Sequence, residues 1–104
     1  MPDYVEKPGG GAAIEEQQKT EKPRRYKVLL HNDDYTTMDF VVMVLEDVFS
    51  RPRDEAVRIM LNVHRNGIGV AGVYTKAVAE TKIRTVHELA QGQGFPLRCS
   101  MEPE

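Results

Sequence analysis

A chain of 104 residues is long enough for one domain, and its 14 basic and 16 acidic side chains leave a formal charge of −2, a poor match for the basic patch that nucleic-acid binding requires. A domain of this size buries about 60–65% of its unfolded surface and needs no covalent staple; its single cysteine, Cys99, excludes an internal disulfide and a Cys-based zinc cage. No apolar run approaches the roughly 20 residues of a membrane span, and no basic-then-apolar leader marks export, so the expected setting is the cytoplasm, without a membrane partner.

Residues 1–24 carry Pro2, Pro8, Pro23, the triplet Gly9-Gly10-Gly11 and a polar run from Glu15 to Lys22. Their apolar content is too thin to offset the entropy of ordering them, so a flexible arm is expected there and one domain over residues 25–104. Tyr26, Val28 and Leu30 alternate with Lys27, Leu29 and His31, the pattern of a half-buried strand. Phe40, Val41, Val44, Leu45, Val48 and Phe49 then recur at helical spacing. Thr36 with Asp39 three residues on matches a capping box, which starts this helix near Thr37.

Pro52 suits the first turn of a second helix, with Ala56, Val57, Ile59, Met60 and Val63 on its buried side, His64 continuing that stripe and Gly67 ending it. Ile68, Val70, Val73 and Tyr74 indicate a glycine-weakened second strand. Thr75 can cap a third helix, with Ala79, Ile83, Val86 and Ala90 on one face and Lys82, Arg84, His87 and Glu88 solvated. Beyond Gly94, the inward positions of a last strand are Phe95, Leu97, Cys99 and Met101. The expected fold class is therefore α+β, a small three-stranded antiparallel sheet with three helices on one side, in the order β-α-α-β-α-β.

Few residues carry chemistry. Gly67, Gly69 and Gly72 satisfy the spacing of a dinucleotide fingerprint, but they follow a helix and run into a strand, the reverse of the required context. No cofactor is expected. His31, Asp33, Asp34 and His64 have the chemistry of metal ligands or general bases, yet their spacing matches no metal motif and no nucleophile accompanies them. The residues alone leave open a turn that uses Asn32, Asp33 and Asp34 for local hydrogen bonds, and a core histidine at position 64.

The segment Asn32-Asp33-Asp34-Tyr35-Thr36-Thr37-Met38-Asp39-Phe40-Val41 resembles the signature of the ClpS family, adaptors that carry N-degron substrates to the Clp protease. Met60-Leu61-Asn62-Val63-His64-Arg65-Asn66-Gly67, Gly72 through Lys82, and Phe95-Pro96-Leu97-Arg98-Cys99 resemble the same family in the same order. The resemblance implies an adaptor and not an enzyme, with no metal. Its substrates would begin with Phe, Tyr, Trp or Leu. Asn32, Asp33 and His64 would hold the substrate's α-amino group and first peptide unit, Asp34 bracing the turn or making a secondary contact. The side chain would enter an apolar pocket of Thr36, Met38, Val41, Met60, Val63 and Leu97, with His31 at its rim.

Tyr74, Glu80, Thr81 and Lys82 would dock on the N-terminal domain of a Clp AAA+ unfoldase, ClpA-like or ClpC-like, in a bacterial cytoplasm. The adaptor would be a monomer whose arm helps modulate the unfoldase. Three positions depart from the family: Thr37 stands where proline is usual, His31 where an aliphatic residue is common, and Ala77 where many members carry an acid in the docking surface. The rival readings are a small metal-dependent hydrolase using Asp33, Asp34 and His64, and a module that binds partners through its first helix.

Overall fold

Strand β1 (Arg25–His31) lies in the middle of the sheet, paired antiparallel with β2 (Ile68–Thr75) on one side and β3 (Arg98–Pro103) on the other. The computed structural model describes residues 22–104, so nearly all of the arm expected over residues 1–24 lies outside the described residues. Helices α1 (Met38–Asp47) and α2 (Arg53–Asn66) separate β1 from β2, and α3 (Lys76–Gln93) separates β2 from β3. The observed class and element order are those expected.

Because side chains alternate along a strand, Val28 and Leu30 share one face of β1, where both are fully buried in a core with Phe40, Val44, Leu45 and Val86. The other face of the sheet leaves Ile68 and Val70 exposed. A bulge sets which residues of β2 face the core: Val28 pairs with Gly72 but Leu29 pairs with Val70, so Ala71 is the extra residue and takes a buried position. The Arg51 guanidinium donates to the Ala71 carbonyl at 2.9 Å, tying the α1–α2 connection to the bulge.

Other contacts join elements that are distant in sequence. His87, expected to be solvated, accepts a hydrogen bond at Nε2 from the Cys99 N–H at 3.1 Å and so pins α3 to β3. Lys82, expected on the exposed face of α3, donates to the Val48 carbonyl at 2.7 Å, at the end of α1. Its ammonium also lies 5.2 Å from the centre of the Tyr74 ring and 5.9 Å from that of Phe49, within cation–π range. Periodicity marked both residues as surface because it cannot register a side chain reaching another element.

Two junctions set the geometry near the end of β1. At Gly67 the chain adopts φ 87° and leaves α2 for β2, a left-handed cap that glycine adopts without strain. The Gly67 carbonyl then accepts from the Asn32 N–H at 2.9 Å, which draws the turn after β1 against the last turn of α2. Gly69 faces Val63, and a Cβ there would sit 2.8 Å from Val63 Cγ2. We expect Gly69→Ala to lower unfolding free energy by about 1–3 kcal/mol, the usual cost of overpacking, as measured by urea denaturation. An unchanged midpoint would show that α2 can give way without cost.

Candidate functional site

The turn between β1 and α1 is built on one carboxylate. Asp33 Oδ1 accepts from the Tyr35 N–H at 2.8 Å and the Thr36 N–H at 2.7 Å, and Oδ2 accepts from the Thr36 hydroxyl at 2.8 Å. Burial is the largest single influence on Asp33 and favours its neutral form. The bonds from Thr36 and Tyr35 together outweigh it, so its pKa lies below the usual carboxylate value. With the Thr36 hydroxyl engaged, the expected Thr36–Asp39 capping box does not form. Thr37 is the N-cap instead, its hydroxyl accepting from the Phe40 N–H at 3.1 Å.

Beside this turn lies a cavity of about 420 Å³. Its floor is apolar and well covered, with Val41, Met60 and Val63 exposed by only 7%, 8% and 3%. Its polar side carries Asn32, Asp34 and His64, all three exposed. Among the described residues the side chains of Asn32, Asp34 and His64 have no hydrogen-bond or salt-bridge partner, so their acceptors are unspent. The position of His64 excludes the core histidine that the sequence left open. Asp33, Thr36 and Met38 also line the cavity, and so do Tyr35 and Thr37, which were not among the expected pocket residues.

Two expected pocket residues lie elsewhere. Leu97 is 4% exposed and belongs to the core cluster but not to the cavity lining. Its inward position was expected from the alternation of the last strand; its place on the pocket wall was implied only by the family resemblance. His31 is not at the rim: its Nε2 lies 2.7 Å from the Ser100 hydroxyl and its Nδ1 3.4 Å from an Arg98 nitrogen, so its ring is engaged with β3. Burial, and then the Arg98 charge, hold its pKa below the ordinary histidine value.

The four positions expected to dock on an unfoldase do not line the cavity. Tyr74 and Lys82 form a half-buried cluster with Phe49, and burial raises the Tyr74 phenol pKa against the opposing pull of the Arg51 charge. Glu80 and Thr81 are exposed on α3, the Thr81 hydroxyl donating to the Ala77 carbonyl at 3.1 Å. No group of three or more His, Cys, Asp or Glu side chains converges as a metal-ligand set among the described residues. A second hollow of about 580 Å³ is lined by Lys22, Arg24 and the Arg25–Glu104 ion pair, with Pro23 and Thr75.

Residues 21–100 match the family model described as ATP-dependent Clp protease adaptor protein ClpS. The chain belongs to the ClpS family. It is 68% identical over 95 residues to the ATP-dependent Clp protease adapter protein ClpS of Desulfatibacillum aliphaticivorans, covering 91% of each chain. It is 64% identical over 88 residues to the ClpS of Myxococcus xanthus, covering 85% of this chain and 82% of that one. Among solved structures it resembles Agrobacterium tumefaciens ClpS2 bound to L-phenylalaninamide, at 43% identity and a TM-score of 0.77, over 80% of this chain and 100% of that one. As a ClpS protein it is an adaptor of an ATP-dependent Clp protease.

The Asp33 bonds have a pH signature. A carboxylate with a lowered folded-state pKa contributes stability above its unfolded value of about 3.9 and loses it as pH falls through the folded value. We expect Asp33→Asn to be less stable than the parent at pH 7, with the difference shrinking below about pH 4. Thermal unfolding of both proteins between pH 3 and 7 checks this, and a gap that stayed constant to pH 3 would deny the carboxylate its bracing role.

Proposed function

We propose that this ClpS protein binds the free α-amino group and the large apolar side chain (Phe, Tyr, Trp or Leu) of N-degron substrates and delivers them to a Clp AAA+ unfoldase. The observation that carries this reading is the set of three polar groups, Asn32, Asp34 and His64, without a hydrogen-bond partner among the described residues, lining a cavity with an apolar floor. An α-amino group is mostly protonated at neutral pH and needs acceptors in a partly dry site. In this reading the Asn32 amide oxygen, the Asp34 carboxylate and a neutral His64 ring supply them. Asp33, which the resemblance implies would contact the amine, lines the same cavity and also holds the turn that presents Asn32 and Asp34; its Oδ2 accepts one bond and keeps a lone pair for the amine. The likeness to a relative bound to L-phenylalaninamide supports the reading, since that ligand joins a free amine to a benzyl group.

Val41, Met60 and Val63 would receive the side chain. Burying a Phe or Leu contributes roughly 1.5–3 kcal/mol, and each hydrogen bond to a charged group roughly 1.5–3. Only the sum, less the cost of association, reaches the roughly −8 kcal/mol of micromolar binding. Selectivity follows, because an internal Phe lacks the amine and an N-terminal Lys would bring a charge onto an apolar floor. Docking on the unfoldase's N-terminal domain falls in this proposal to Tyr74, Glu80, Thr81 and Lys82. Of these, Glu80 and Thr81 offer the cleaner test, because Lys82 also ties α3 to α1.

Titration with a Phe-initiated peptide should give micromolar or tighter binding, loss of most affinity on N-acetylation, and no effect of chelator. Equal binding of the acetylated peptide would replace this reading with a general interaction module. Chelator-sensitive turnover would favour a metal-dependent hydrolase.

Met38 occupies the first turn of α1 beside the cavity and is 48% exposed, where its long side chain can crowd a branched Cβ. Met38→Ala should raise affinity for Val- and Ile-initiated peptides on the order of tenfold, about 1.4 kcal/mol, consistent with relief of overpacking. Continued exclusion of both peptides by a folded mutant would remove Met38 from the gate.

A further inference from the structure

Exposure rises steeply across the cavity, from 3–8% at the floor to 48% at Met38 and 76% at Tyr35. Among the described residues Tyr35 is the most exposed large hydrophobic residue, and it lines the cavity. Among the described residues its ring has no aromatic or cationic partner. Its backbone is nonetheless held, because its N–H donates to Asp33 Oδ1 at 2.8 Å. A large aromatic side chain on a braced turn loses little backbone entropy on binding and offers an amphipathic surface to a ligand.

A peptide whose first side chain reaches the floor and whose amine lies against Asn32, Asp34 and His64 must leave through the mouth. In that pose its second residue would be the first part of the chain to pass Met38 and Tyr35, the most exposed apolar residues of the lining. Resting on the amine-binding function above, we propose that Tyr35 forms a second subsite, whose ring packs on the side chain of the substrate's second residue and favours an extended apolar side chain over glycine. The neighbouring Asp33–Thr36 bonds hold the turn while leaving the ring free to adjust, so the subsite tunes affinity over a broad set of side chains.

The test is a cycle of affinities for peptides beginning Phe-Leu and Phe-Gly, with N-acetylated Phe-Leu as a control, against the parent, Tyr35→Phe and Tyr35→Ala. A ring-to-side-chain contact of ordinary size predicts that the parent prefers Phe-Leu by about 3- to 10-fold. Tyr35→Phe should keep that preference, and Tyr35→Ala should bring the ratio to about one. Because Tyr35 is exposed and its bracing bond uses the backbone N–H, both variants should fold as the parent does, as thermal unfolding will show. A ratio that persists in Tyr35→Ala, or its absence in the parent, overturns the subsite while leaving the amine site standing. Equal affinity of the parent for free and acetylated Phe-Leu overturns the amine site and the subsite together.

Discussion

The carboxylate of Asp33 is the interaction on which the site depends. It gathers two backbone N–H groups and one hydroxyl within four residues, folding the chain between β1 and α1 into a braced turn. Without it those donors would compete for solvent, and the start of α1 would lose its entry angle. Asp33 and its neighbour Asp34 both line the cavity, but among the described residues only Asp33 bonds the turn. Two adjacent acids of the same chemistry thus differ in role, one bracing its own backbone and the other engaged by no hydrogen bond among the described residues.

A second constraint holds the turn against α2. The Asn32–Gly67 backbone bond joins the end of β1 to the left-handed cap of α2, one turn beyond His64. This brings Asn32 and His64, which lie in separate parts of the chain, to the same cavity. The floor then follows from packing of α1 on α2 through Val41, Met60 and Val63. The polar and apolar sides of the cavity therefore come from the same two junctions and cannot be moved independently.

The end of α1 away from the cavity is held by longer reaches. Lys82 caps the Val48 carbonyl, the Arg51 N–H donates to the Leu45 carbonyl at 3.0 Å, and the Arg51 side chain bonds the bulge. Ser50 between them adopts φ 55°, a left-handed conformation that a residue with a side chain keeps only when its surroundings impose it. The core beneath contains no buried charged or polar side chain among the described residues, and Cys99 is sealed in it, its thiol pKa pushed up to about 12 by burial. The thiol is accordingly a packing group.

Local pattern determined much of this protein. The alternation of Tyr26, Val28 and Leu30, the helical spacing from Phe40 to Phe49, and the stops at Gly67 and Gly94 are decided by neighbours a few residues apart, so element order and class were legible. The motif around Asn32 and His64 also pointed to the residues that meet at the cavity. What the sequence could not carry were choices between near-equivalent partners. Nothing in a run of Asn32, Asp33 and Asp34 says which acid bonds its own turn, nor in Thr36 and Thr37 which hydroxyl caps the helix. The bulge at Ala71 set which residues of β2 face the core, and Leu97 joined the core and not the pocket wall that the family resemblance implied. Lys82 and His87 were read by periodicity as surface and His31 was placed at the rim by the family resemblance, and each found a partner far along the chain. Those outcomes belong to the tertiary structure because a hydrogen bond is decided by which donor arrives within 3 Å of which acceptor, and only the packed chain brings them there.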